Sequence, residues 1–135
     1  MFSHDSAIKN KAAFTLLELM MVVIIIGILA SLSLPKFVET IERARSTEAL
    51  IQLGALRCSM ERYFLENDGS YLGATLELLD IDDPNDPFLY PERFFDYDEP
   101  NVTSNTAYTL IARRKEFSNM IITMNQYGVI AREGY

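Results

Sequence analysis

The chain's 135 residues leave room for one domain of ordinary size, and its net charge of −7 offers no basic surface for nucleic acid. The single cysteine, Cys58, excludes an intramolecular disulfide. The single histidine, His4, lies so near the N-terminus that a chain trimmed of its first residues holds none. That excludes histidine acid–base catalysis, Ser-His-Asp and Cys-His nucleophilic sites and the usual zinc sites.

Residues 1–13, MFSHDSAIKNKAA, are short and polar and close on two lysines and two alanines. Residues 14–34 follow as an apolar run whose only polar interruptions are Thr15, Glu18, Ser31 and Ser33. At about 1.5 Å per residue a helix of this length spans roughly 30 Å, one bilayer core. Beyond Pro35 the pattern changes. Val38, Ile41, Arg45, Ala49, Leu53, Leu56, Met60, Tyr63 and Phe64 recur at three- and four-residue steps with charged residues between them, the signature of an amphipathic helix. Pro35 bends such a helix rather than ending it. Asn67-Asp68-Gly69 supplies the stop, with glycine in the left-handed turn. One helix from Phe14 to about Asn67 is roughly 80 Å long. That is uneconomical for so small a chain unless its first half is buried against something else. Cys58, inside the periodic segment, reads as a small buried hydrophobe.

Residues 75–79 read as a short helical turn, and residues 80–91, with three prolines and four aspartates, as loop. Strands are predicted over 94–97, 108–113, 120–125 and 129–131, the last two joined by a turn at Gln126-Tyr127-Gly128. The fold class is α+β: a long N-terminal helix with one apolar stripe packed on a small antiparallel sheet. Phe88, Tyr90, Phe94, Phe95, Tyr97 and Tyr108 read as core and sheet residues. The one basic cluster, Arg113-Arg114-Lys115, reads as solvated loop.

Glu18 is the residue that needs explaining. A secretory signal with a cut at Ser31-Leu32-Ser33 and a plain transmembrane anchor are both compatible with the apolar run. Both leave a carboxylate entering lipid, at a cost of about 2.5 kcal/mol or more. A third reading accounts for it. Lys9-Asn10-Lys11-Ala12-Ala13, then Phe14-Thr15-Leu16-Leu17-Glu18, continued through Gly27-Ile28-Leu29-Ala30 to Pro35, resembles the processing site of type IV prepilins and of type II secretion pseudopilins. Ala13 stands where the family usually has glycine.

The resemblance implies a division into a cleaved leader (1–13), a transmembrane and assembly helix (14–34) and an extracytoplasmic pilin-like head (35–135) in a lollipop-shaped subunit. It implies that prepilin peptidase cuts between Ala13 and Phe14 and methylates the new Phe14 amine. Glu18 is then an assembly residue: its carboxylate pairs with the Phe14 amine of a neighbouring subunit and sets register. Gly27 and Pro35 mark a helix break where helicity is lost in the filament; Gly27 reads equally as a point of close helix packing. The implied partners are homo- or hetero-oligomeric filament subunits, the peptidase, an inner-membrane assembly platform and the membrane. The chain is expected to start as a single-pass inner-membrane precursor with its N-terminus cytoplasmic, held by Lys9 and Lys11, and to end in a cell-surface filament. It is expected to be no enzyme and to need no cofactor. Asp80, Asp82, Asp83 and Asp86 are the weak candidates for a calcium site, since calcium prefers flexible oxygen ligands.

The reading favours a type IV pilus subunit, with a pseudopilin as the alternative within the family. The alternative of another class is a membrane-tethered or secreted monomeric binding module using residues 36–135.

Overall fold

The computed structural model describes residues 14–134. One helix, α1 (Leu16–Glu66), precedes a single 3-10 turn at Leu76–Leu78 and five strands: β1 (Phe95–Tyr97), β2 (Asn101–Ser104), β3 (Ala107–Arg114), β4 (Ile121–Asn125) and β5 (Ile130–Glu133). The chain divides into two compact units, Met1–Thr40 and Ile41–Tyr135. In the first, the described part is helix alone. The second holds the remainder of α1 against the sheet.

The sheet is antiparallel throughout, in the order β1-β3-β4-β5, with β2 also paired to β3. Register explains the core. Tyr97 lies opposite Ala112, Ala112 opposite Ile122, and Leu110 opposite Met124, so these buried side chains share one face of the pleat. Against that face α1 sets Ala49, Leu53, Leu56 and Met60, each 1% exposed or less. Their spacing of four, three and four residues is one helical stripe. Tyr71, with its ring edge-on to Tyr108 at 4.6 Å, closes the cluster from the segment after the helix.

The α+β fold class is therefore the one expected, and four of the five strands fall where the pattern placed them. β2 was not foreseen. Its burial alternates only between exposed and half-buried, and Asn101-Val102-Thr103-Ser104 carries no apolar alternation to announce it. Cross-strand pairing with β3 makes it a strand.

The helix stops one residue before the expected Asn67. Both Asp68 (φ 52°) and Gly69 (φ 74°) turn left-handed, and the Gly69 amide donates to the Phe64 carbonyl at 3.0 Å, which satisfies a helix-end carbonyl.

Three expectations are corrected. Cys58 is exposed, because the stripe Leu56, Ser59, Met60 leaves position 58 on the opposite side of the helix. Arg114 is no loop residue. Alternation along β3 carries it to the core face after Tyr108, Leu110 and Ala112, where it is 1% exposed. Phe88 is no core residue: it is 93% exposed, in the irregular stretch before β1. The other aromatics of that group hold to expectation more closely, with Phe95, Tyr97 and Tyr108 buried and Tyr90 and Phe94 half-buried.

Candidate functional site

Every residue from Phe14 to Thr40 is exposed. An 18-residue window of α1 has a mean hydropathy of 2.5 with none of it buried, and by length and composition the helix can cross a membrane. A continuous apolar face of this extent exceeds the largest patch of an ordinary soluble monomer, roughly 300–600 Å². It needs lipid or protein around it.

The start of the helix is built by two side chains. Thr15 Oγ1 accepts from the Glu18 amide at 3.2 Å, while the Thr15 amide and hydroxyl each donate to Glu18 Oε2 at 3.1 Å. This is the reciprocal capping box, in which two N-terminal amides that α-helical bonding leaves orphaned find partners. The carboxylate also stands in the first turn, where the helix dipole favours negative charge. Within one chain, then, Glu18 already has a local partner. The Thr15-Leu16-Leu17-Glu18 spacing is the sequence signature of that cap. Phe14 sits just outside the cap and is 81% exposed. Ala13 and the leader 1–13 lie outside the described residues.

Further along, Ser31 donates its hydroxyl to the Ile28 carbonyl at 2.8 Å and Ser33 donates to the Leu29 carbonyl. Both polar interruptions are thus satisfied within the helix, which suits them to an apolar surrounding. Gly27 has open space where a Cβ would stand. Pro35 lies inside α1 and brings no amide to the carbonyl four residues back. Neither Gly27 nor Pro35 interrupts α1 in the single chain.

The head carries a second concentration of charge. Arg114 donates from one terminal nitrogen to Glu42 Oε1 and Glu116 Oε2, both at 3.3 Å, and from the other to the Phe94 carbonyl at 3.4 Å. Arg45 holds Glu42 at 2.7 Å and lies 4.7 Å from the Phe94 ring centre, with Arg114 at 5.1 Å. The Phe94 amide donates to Glu48 at 3.1 Å. Phe94 is thus the point where α1 and the ends of β1 and β3 are tied together. The sequence holds no local sign of this, because Glu42 and Arg114 are 72 positions apart.

The four aspartates weighed for calcium do not come together. Asp80 pairs with Arg62. Asp83 accepts from the Asn85 amide at 2.9 Å and Asp86 from the Phe88 amide at 2.7 Å, as local turns. Among the described residues no group of three or more His, Cys, Asp or Glu is placed to hold a metal.

The chain thus combines an exposed apolar helical segment with a small α+β unit. Residues 8–34 match the family model of the prokaryotic N-terminal methylation motif. The chain is 46% identical over 55 residues to the type IV major pilin protein PilA of Myxococcus xanthus, covering 41% of this chain and 25% of that one. It is 42% identical over 62 residues to a probable minor fimbrial protein of Dichelobacter nodosus (46% and 38%). It is also 39% identical over 61 residues to the type II secretion system core protein G of Escherichia coli (45% and 42%). The chain thus spans less than half the length of these relatives. No solved structure matches it. The motif and these relatives support the type IV pilin and pseudopilin family for this chain.

Proposed function

We propose that this chain is a structural subunit of a type IV pilus-like filament. It is made as a single-pass inner-membrane precursor, cut between Ala13 and Phe14, methylated at Phe14 and polymerised through the apolar part of α1. The observation that carries the reading is the wholly exposed apolar helix opening on a capped acid, Glu18. A bilayer covers that surface in the precursor. Identical helices cover it in the filament, where one repeated, non-closing contact generates a helical array.

Incorporation asks Glu18 to serve two partners: its own cap and the Phe14 amine of a neighbour. A carboxylate has lone pairs for both. In an apolar filament core a misaligned subunit would leave charge unpaired, which is the basis of register selection. On this reading the protein is the substrate of an enzyme and does no catalysis of its own. The likeness to core protein G of type II secretion systems supports a pseudopilin as the second reading.

Glu18→Gln separates the two roles, because glutamine still serves in a capping box and carries no charge. We expect N-terminal sequencing and intact mass to give a chain beginning at methylated Phe14 in both wild type and variant. Sheared filaments should be depleted at least tenfold in the variant. Wild-type filament yield from Glu18→Gln would overturn the register role. A wild-type chain beginning at Met1 or after Ser33 would overturn the filament reading itself and favour the tethered or secreted binding module.

A further inference from the structure

Within the head, a cavity of about 240 Å³ opens among Glu48, Gln52, Tyr90, Glu92, Arg93 and Tyr97. One buried polar group in its wall has no partner. Tyr97 is 4% exposed, and its buried hydroxyl makes no hydrogen bond. Burial first, and then the neighbouring Glu48 carboxylate, push its pKa above the ordinary phenol range, so it stays neutral. Glu48 accepts from the Phe94 amide, and a carboxylate has further lone pairs to offer.

The charge of this wall is negative. Arg93 is held by Asp96, with Nε and a terminal nitrogen each 3.1 Å from Oδ1, which leaves Glu48 and Glu92 uncompensated at the cavity. The surrounding segment deepens the field, since residues 77–99 contain nine acidic residues and one basic residue, Arg93. Two carboxylates, a carboxamide and two phenol rings line a space the size of a side-chain end. Carboxylates attract a cation, phenol oxygens accept from it, and aromatic faces add cation–π attraction.

We propose that this cavity is a socket for an organic cation, the alkylammonium or guanidinium end of a lysine or arginine side chain. In a filament the side chain comes from a second copy of this chain; otherwise it comes from a free peptide or amine. Cation binding itself does not depend on the filament reading, while a second copy as its source does.

The test uses the full chain in detergent micelles, titrated with methylguanidinium or n-butylammonium chloride and followed by NMR of the tyrosine and glutamine side chains. Saturable shifts of Tyr90, Tyr97 and Gln52 are expected, with neither n-butanol nor sodium chloride reproducing them. Glu92→Gln, an exposed position, should weaken binding at least threefold without changing the thermal midpoint. Equal binding of n-butanol, the absence of saturation, or unchanged affinity in Glu92→Gln overturns the socket. If filaments form, carbodiimide coupling of Glu92 to a lysine of another subunit, together with loss of probe binding on assembly, assigns the second copy as the source. Undiminished probe binding to filaments assigns a free cation and rejects the second copy.

Discussion

Single residues carry the two decisions this chain makes about charge. Glu18 is placed where a helix start uses a carboxylate and where, on the proposed reading, a neighbour's amine uses it too. Arg114 is placed where a cation is buried at 1% exposure between two glutamates. A buried cation is a poor source of net stability but a costly one to disturb. Its bonds at 3.3–3.4 Å are long, and its Nε is buried without a partner. Removing it should still cost about 2 kcal/mol, since hydrogen bonds involving charged groups are worth more than neutral ones. The expectation is a lower urea midpoint for Arg114→Ala, partly recovered by Arg114→Met, which keeps the apolar stem against Phe94 and Phe95. A midpoint unchanged by Arg114→Ala would show that Arg45 alone holds Glu42 and that the tie between helix and sheet lies elsewhere.

At the scale of elements, α1 does two jobs with one backbone, and the difference lies in its side chains. Up to Leu34 it is apolar on nearly all sides, and every described residue before Ile41 is exposed; after it, one stripe is buried. Leu53 lies on that stripe at 0% exposure and Ile51 off it at 66%. Leu53→Ala should therefore cost about 2–5 kcal/mol, and Ile51→Ala within about 0.5 kcal/mol, both read from chemical unfolding in micelles. Similar losses at the two positions would contradict the stripe. The β4–β5 turn offers a second check. Gly128 has φ 76°, and an added Cβ would meet the Arg57 guanidinium at 3.3 Å, while Arg57 Nε donates to the Gln126 carbonyl at 3.2 Å. Gly128→Ala should destabilise by about 1–2 kcal/mol from the left-handed backbone alone. Arg57→Ala should restore none of that backbone part.

For the molecule as a whole, three buried phenols set an alkaline limit. Burial raises the pKa of Tyr71 from 10.0 to about 12, helped by its hydroxyl's bond to Glu61. Burial also pushes Tyr97 and Tyr108 upward. From pH 10 the unfolded chain releases phenol protons that the folded chain keeps, so unfolding becomes easier as pH rises. The stabilisation is complete below 10 and is lost as pH climbs through the folded values, about 12 for Tyr71. The thermal midpoint should turn downward above pH 10, with the share of tyrosinate absorbance at 295 nm due to these three phenols lagging until unfolding. Ordinary titration of all seven tyrosines near pH 10 in the folded protein would refute this.

The sequence by itself determined what depends on short-range pattern. The 21-residue apolar run, the three-and-four stripe after it, the glycine stops at 69 and 128 and the alternation of β3 and β4 are all periodicities a chain displays before it folds. The likeness to prepilins was legible for the same reason, since it resides in one contiguous stretch. Tertiary structure decided which face each residue met. Cys58 is apolar in type and Arg114 charged, yet the first is exposed and the second buried, because a helix stripe and a strand pleat assign sides by position rather than by residue type. β2 became a strand only by pairing with β3. The cavity beside Tyr97 draws its walls from α1, the loop before β1 and β1 itself, segments with no common sequence signature. Polar groups that meet across such distances are fixed by packing, and packing exists only once the chain has folded.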